Sequence, residues 1–161
     1  MKKNSTTQDS VKVHGFFRVQ ITEGPKKKVV GDSGWCKNQV VNLGFQDFLC
    51  KPLAGAANTS ITHVALGTGG APAAADTSLA SEIMGSTQRK TVSTSIISSK
   101  TVQFTAAFAS SSSFLTAAAN LSNVGLFNSS SGGTLFAGNT YTSSSCNTNQ
   151  NVNVTYQIRF S

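Results

Sequence analysis

Apolar and polar residues alternate along several short segments of the chain, and a period of two residues predicts β-strands. The alternation is clearest near the two ends of the sequence, in residues 11–21 and 152–160. Further apolar or alternating runs predict strands at residues 29–30, 61–66, 91–98, 102–108, 124–127 and 134–141. The pattern therefore predicts a chain that is mostly β.

Two segments predict helices instead. In residues 38–51 the apolar residues recur at i, i+4, i+7 and i+8, which places them in one stripe on a helix. Asn38 is a suitable N-cap, and Pro52 follows where this amphipathic helix is expected to end. A second, short helix is predicted to begin at Asp76. Together these elements predict an antiparallel β-sandwich, jelly-roll-like in its connections, with one amphipathic helix and a short second helix.

The length of 161 residues is enough for one domain with a buried core. We expect a single β-sandwich domain over residues 11–161, preceded by a polar, basic arm at residues 1–10. The serine runs 110–113 and 143–145 are expected to be loops. No apolar run has the length of a membrane-spanning helix, and the first residues lack the apolar stretch of a secretory signal peptide. We therefore expect neither membrane insertion nor export by such a signal.

The net charge of +7 is unevenly distributed along the chain. Residues 1–51 hold nine Lys or Arg and four acidic residues, whereas residues 101–161 hold a single charged side chain, Arg159. A basic first part beside a nearly neutral remainder favours docking on an acidic surface by electrostatic steering. Direct nucleic-acid binding is not expected, because no aromatic residues are interleaved with the lysine run 26–28 to stack on bases.

The sequence contains no set of residues that predicts catalysis or metal binding. Residues 31–34 (Gly-Asp-Ser-Gly) match the nucleophile segment of chymotrypsin-like proteases, but the histidine and acid that this chemistry needs are not in place, so we interpret them as a tight turn. The glycine-rich residues 67–70 lack the lysine of a phosphate-binding loop. His14 and His63 have no acidic or cysteine ligands near them in the sequence. We therefore expect no catalytic, cofactor or metal site.

Three cysteines, Cys36, Cys50 and Cys146, are an odd number without Cys-x-x-Cys spacing. We interpret them as ordinary buried or half-buried thiols. A bridge between Cys36 and Cys50 is the alternative, which a reducing cytoplasm disfavours.

Four motifs carry a resemblance to a known class of proteins. They are Lys-Asn-x-Val-Val-Asn-x-Gly at 37–44, Ala-x-Gly-Thr-Gly at 65–69, Asp-Thr-x-Leu-x-x-Glu-Ile at 76–83, and Gly-Leu-Phe-Asn through Ser-Gly-Gly-x-Leu-Phe-Ala at 125–137. With the alternating last strand, they resemble the small β-rich structural proteins of tailed-bacteriophage virions, the head-decoration, cement or tail-fibre-like proteins. In those proteins an arginine closely follows the acidic segment. Here residues 84–88 displace it to Arg89, which we expect to pair with Glu82.

The resemblance implies a non-enzymatic virion protein. It most closely fits a capsid decoration or cement protein that binds the major capsid protein on the capsid surface, after assembly in the cytoplasm of a bacterial host, as a homotrimer or homodimer. A tail-fibre, neck or baseplate component is the alternative. Lysines and two aromatic residues are the predicted partner-binding residues: Lys2, Lys3, Phe16, Lys26, Lys27, Lys28 and Trp35.

Overall fold

The computed structural model describes residues 10–56, 59–83 and 89–161. Within them the backbone forms ten strands, one helix, α1, at residues 42–53, and a short 3₁₀ turn at Ser110–Ser112. The strands are β1 (Val13–Glu23), β2 (Lys28–Asp32), β3 (Cys36–Val40), β4 (His63–Gly67), β5 (Lys90–Thr91), β6 (Ser93–Ser98), β7 (Thr101–Phe108), β8 (Ala119–Phe127), β9 (Leu135–Cys146) and β10 (Asn151–Phe160). The prediction of a mostly β chain is confirmed.

The strands form one antiparallel sheet in the order β5-β4-β8-β9-β3-β1-β10-β7-β6, and β2 pairs with β1 beside this path. The two outermost strands of that order, β5 and β6, are separated in the chain only by Val92, whose N–H donates to the carbonyl of Thr62 at 2.9 Å. The ends of the sheet therefore meet at consecutive residues, and the sheet is nearly closed into a barrel. It does not clearly divide into the two layers of a jelly-roll sandwich.

The core fills the inside of this sheet, and the two alternating end strands line it. On β1 the residues Phe17, Val19 and Ile21 are buried, and on β10 Val152 to Ile158 are buried at every second position. The Phe17 ring lies 5.6 Å from the Tyr156 ring, centroid to centroid. These buried faces are those that the two-residue period predicts.

A smaller apolar cluster covers part of the outer face of β4, β8 and β9. Ala65, Phe127 and Leu135 belong to these strands, while Val41 and Leu79 come from the segments that cross over them. This part of the sheet is therefore buried on both sides. That explains why residues 124–127 and 135–138 contain no polar side chain and why every one of them is buried.

The amphipathic helix is present, but it begins four residues later than predicted. Asn38 lies in β3, where it is opposite Gly15 of β1 and its side-chain amide donates to the Tyr156 hydroxyl at 2.7 Å. Asn38 is therefore not an N-cap. The helix has a π-helical middle turn, Gln46–Cys50, and Phe45 of its expected apolar stripe is 42% exposed.

Two further expectations about secondary structure are wrong. Residues 76–83 form turns and one bridge, between Glu82 and Gly67, because the segment hydrogen-bonds along β4, where the Ile83 N–H donates to the Leu66 carbonyl at 2.9 Å. The Asp76 carboxylate accepts from the Ala73 N–H and does not cap a helix. The serine run 143–145 belongs to β9, since Ser144 and Ser145 pair with β8.

Candidate functional site

The lysine run lies at the tip of the β1–β2 hairpin. Lys26, Lys27 and Lys28 are all exposed, and the turn is closed by the Lys27 N–H, which donates to the Gly24 carbonyl at 3.0 Å. Gly24 takes the left-handed conformation, with φ +70°, that a glycine adopts without strain. In the described part of the chain none of the three ammonium groups is paired with a carboxylate. We name Lys26 to Lys28 the basic tip.

The two predicted aromatic contact residues lie on neighbouring parts of the sheet, Phe16 on β1 and Trp35 immediately before β3. Phe16 points away from the core, and the Arg159 guanidinium lies 4.8 Å from the centre of its ring. Phe17 is opposite Cys36, and Trp35, which is 50% exposed, directly precedes Cys36 in the chain. We name Phe16 and Trp35 the aromatic patch.

The structure does not bring all the predicted contact residues into one surface. The basic tip follows Glu23, seven positions along β1 from Phe16, which is roughly 23 Å at about 3.3 Å per residue. Lys2 and Lys3 lie outside the described residues, as does the predicted arm except Ser10. The candidate residues therefore form two separate patches, one cationic and one aromatic.

The Gly-Asp-Ser-Gly segment forms the end of β2 with Gly31 and Asp32, and the chain turns towards β3 at Ser33 and Gly34. The Asp32 carboxylate accepts from the Arg18 guanidinium, from the Gln20 amide at 3.0 Å and from the Gly34 N–H at 2.9 Å. These bonds, with Arg18 first, hold the pKa of Asp32 well below its ordinary value. The Ser33 hydroxyl accepts from the Val19 N–H and donates to the Gly34 carbonyl.

The two histidines have structural contacts. The His14 ring is 3.2 Å from the Ser161 hydroxyl, and the His63 ring lies between the hydroxyls of Thr62 and Thr91. Burial, and after it the charge of Arg89, lowers the pKa of His63. Among residues 10–56, 59–83 and 89–161, no three His, Cys, Asp or Glu side chains are grouped as a metal site would require. The same residues contain no helix long and apolar enough to cross a membrane.

The motif residues meet around one buried arginine. Arg89 Nε donates to Glu82 Oε1 at 2.7 Å, and its Nη2 donates to Glu82 Oε2 at 3.0 Å, which confirms the predicted pair. Its Nη1 donates to the carbonyls of Ser129 and Gly132 in the β8–β9 turn. The guanidinium also lies 3.4 Å from the centre of the Phe127 ring.

Asn123 holds the other motif loops to the sheet, a role that the sequence analysis missed. Its side chain is fully buried, and its amide donates to the carbonyls of Gly70 and Ala80 at 3.0 and 2.9 Å. A Cβ on Gly67 or Gly69 would collide with the backbone of residues 80–81. Contacts within and between these motifs thus help to build the fold.

The three thiols differ in exposure. Cys146 is fully buried, and burial raises its pKa to about 11. Cys36 is half-buried, while Cys50 is exposed, contrary to the expectation of three covered thiols. All three are free, so the alternative bridge between Cys36 and Cys50 is absent.

An apolar pocket of about 170 Å³ opens between α1 and one end of the barrel. Its walls are mostly apolar side chains from α1, β7, β9, β10 and the segment before β4: Phe48, Leu49, Ile61, Val102, Phe104, Phe136, Ile158 and Phe160. Only Thr59 adds a side-chain oxygen to this lining, so the pocket offers no charged group to orient a polar substrate.

No family model, no curated protein and no solved structure matches this chain.

Proposed function

We propose that this protein is a non-enzymatic structural component of a tailed-bacteriophage virion, a capsid decoration or cement protein that binds the shell of the major capsid protein. The observation that carries the proposal is the separation of charge on a small β-rich fold. Three lysines, unpaired within the described part of the chain, project at the basic tip, while residues 101–161 have one charged side chain. A neutral body with one cationic projection suits a protein that docks on an acidic shell.

The contacts within the two patches suggest how docking would proceed. The basic tip would steer approach and set register, and the aromatic patch would supply the apolar anchor, since exposed tryptophan contributes strongly at interfaces. Mounted roughly 23 Å apart on β1, the patches would meet different parts of the partner. The expected homotrimer or homodimer belongs to this proposal, because cement proteins bridge symmetry-related subunits. So does the jelly-roll-like sandwich, the finer form of the fold.

A tail-fibre, neck or baseplate protein is the second candidate. The outer face of β1, β7 and β10 favours this candidate, because it presents amide, hydroxyl and aromatic groups such as Gln103, Thr155 and Phe16. Such a face suits a carbohydrate ligand on a host surface.

Immunogold electron microscopy of intact particles tests the proposal, using an antibody against this chain and particles of the phage that encodes it. Label spread over the head is the expected result. Label confined to the neck or tail would overturn the capsid assignment and support the second candidate. Particles that stay unlabelled, while purified protein on the same grid is labelled, would contradict both.

A further inference from the structure

Strand β6 has a free edge that the rest of the described chain does not cover. It pairs with β7 on one side, and its six residues, Ser93–Ser98, are all exposed. Among the described residues, no backbone hydrogen bond reaches its second side. The register with β7 is regular from Ser93 to Ile96 and shifts at Ile97. Every second residue of such an edge presents an unpaired N–H and C=O to solvent.

The apolar interior continues along this strand to the surface. On the inner face of the sheet Ile158 is opposite Val102, and Val102 is opposite Ile96. Ile158 is 3% exposed, whereas Ile96 is 78% exposed, so the row of core side chains ends in solvent. Ile97 is also 50% exposed. Two isoleucines on an open edge are the arrangement that β-sheet proteins ordinarily avoid.

Strand β2, which also pairs on one side only among the described residues, shows how this chain protects an edge. It carries Lys28 and Asp32 at its ends, and its register with β1 is broken between Ile21 and Thr22. Residues 91–99, in contrast, contain no charged side chain and no proline. In a chain of net charge +7, copies repel one another wherever lysines meet, and the nearest lysines, Lys90 and Lys100, lie outside β6, so the pairing residues themselves carry no charge.

From these observations we propose that two copies of this chain associate through antiparallel pairing of β6 with β6. A two-fold contact places the same strand on both sides, so each Ile96 extends the apolar row of the other copy and the free N–H and C=O groups pair. The six residues span about 20 Å, which is short for an interface, so the dimer is expected to form at micromolar concentrations and above. The inference concerns copies of this chain alone and does not depend on the virion proposal.

Sedimentation velocity over a range from about 5 to 500 µM tests the pairing, because a dimer population grows with concentration. The unmodified protein is expected to shift towards the dimer, and Ile96→Lys is expected to raise the dissociation constant at least about tenfold. Val29→Lys is the matched control, since Val29 is an exposed residue of the protected edge strand β2. Ile96→Thr, which keeps a β-branched side chain, serves as a second variant with little risk to folding.

Hydrogen exchange of the β6 amides at low and high concentration locates the contact. Protection that appears only at high concentration, and only without the Ile96 substitution, is the expected result. A protein that stays monomeric at the highest concentration would overturn the proposal. So would a dimer that Val29→Lys weakens as much as Ile96→Lys, or β6 amides already protected in the monomer, which would mean that another segment of the same chain occupies the edge.

Discussion

Asp32 shows how one side chain organises the break between β2 and β3. Its carboxylate accepts hydrogen bonds from Arg18, Gln20 and the Gly34 N–H, and Gly34 itself has φ +64°. The carboxylate thereby binds two side chains on one face of β1 and also the backbone of the turn that follows β2. A motif that imitates a protease nucleophile is in this protein a device for turning the chain.

The depressed pKa of Asp32 predicts a pH-dependent contribution to stability. Because the folded pKa lies below the unfolded value near 4, the ionised Asp32 stabilises the fold above that pH, and this contribution is lost as the pH falls. Asp32→Asn should therefore lower the melting temperature at pH 7, and the difference from the unmodified protein should begin to narrow below about pH 4 and be smaller, but not zero, at pH 3. Thermal unfolding followed by circular dichroism at pH 7, 5 and 3 measures this gap.

Arg18→Met provides the control for this prediction. If the ion pair causes the effect, each single variant should lower the melting temperature by an amount that shrinks in the same way as the pH falls. The double variant should lower the melting temperature little further. A gap that is unchanged between pH 7 and pH 3 would contradict the assignment.

The three cysteines are expected to react with a thiol reagent in a fixed order. Cys50 is exposed and should be modified first, whereas Cys146 is buried with a pKa of about 11 and should react only after unfolding. Mass spectrometry of the native protein during maleimide labelling at pH 7 measures the order. Cys50→Ser should remove the fast phase, and a fast phase that survives this substitution would show that the burial of the other thiols is wrong.

At the scale of elements, Arg89 lies directly before β5 and connects that strand to two other segments. It bonds the β8–β9 turn and Glu82, which pairs with the end of β4. Its side chain is 6% exposed, and that of its partner Glu82 is 11% exposed. Arg89→Ala should lower the free energy of unfolding by about 3–5 kcal/mol, because Glu82 would be left as a buried charge without a partner. Urea denaturation measures the loss.

Lys51→Ala gives the corresponding control, since it breaks an ion pair with Asp47 in which the lysine is 43% exposed. An exposed pair at this helical spacing contributes only about 0.3–0.5 kcal/mol. Equal losses in the two variants would mean that the Arg89 contacts contribute no more than a surface pair.

The elements that could be predicted from the sequence are those in which the spacing of apolar residues matches the spacing of buried positions. β1 and β10 have one buried and one exposed face, so their alternation predicts both the strands and the residues that point inwards. The start of α1 could not be predicted in this way. Asn38 is held in β3 by Gly15 and by Tyr156, 118 residues away, and such long-range pairing overrides local capping preference.

The same reasoning applies to the candidate surfaces. The lysine run is exposed because unpaired charged side chains at a hairpin tip stay in solvent. Its position at a tip follows from the turn signal Gly24-Pro25 beside it. The importance of β6 could not be predicted, since residues 91–98 look like any half-buried strand. Only the sheet order shows that β6 is outermost and that Ile96 lies beyond the core.

At the scale of the whole molecule, near-closure of the sheet decides which surfaces remain available. Each strand between β5 and β6 in the sheet order has a neighbour on both sides, so its edges are covered. Strand β6, which Val92 links to β5, pairs only with β7 and keeps an uncharged free edge. The basic tip lies on a hairpin beside the main path of the sheet. Docking through the tip and pairing through β6 would therefore use different strands, so a dimer could present two basic tips to one shell.

The last prediction concerns the basic tip as a docking device. Changing Lys26, Lys27 and Lys28 together to Gln should weaken binding to phage heads that lack this protein by about tenfold or more at low salt, and should remove most of the salt dependence. Changing Lys12, Lys37 and Lys100, which are also exposed, lowers the net charge of +7 by the same three units. This control should keep most of the binding, because steering depends on where charge is placed. Cosedimentation at about 50 and 500 mM NaCl measures both, and equal losses in the two triple variants would show that net charge alone drives the association.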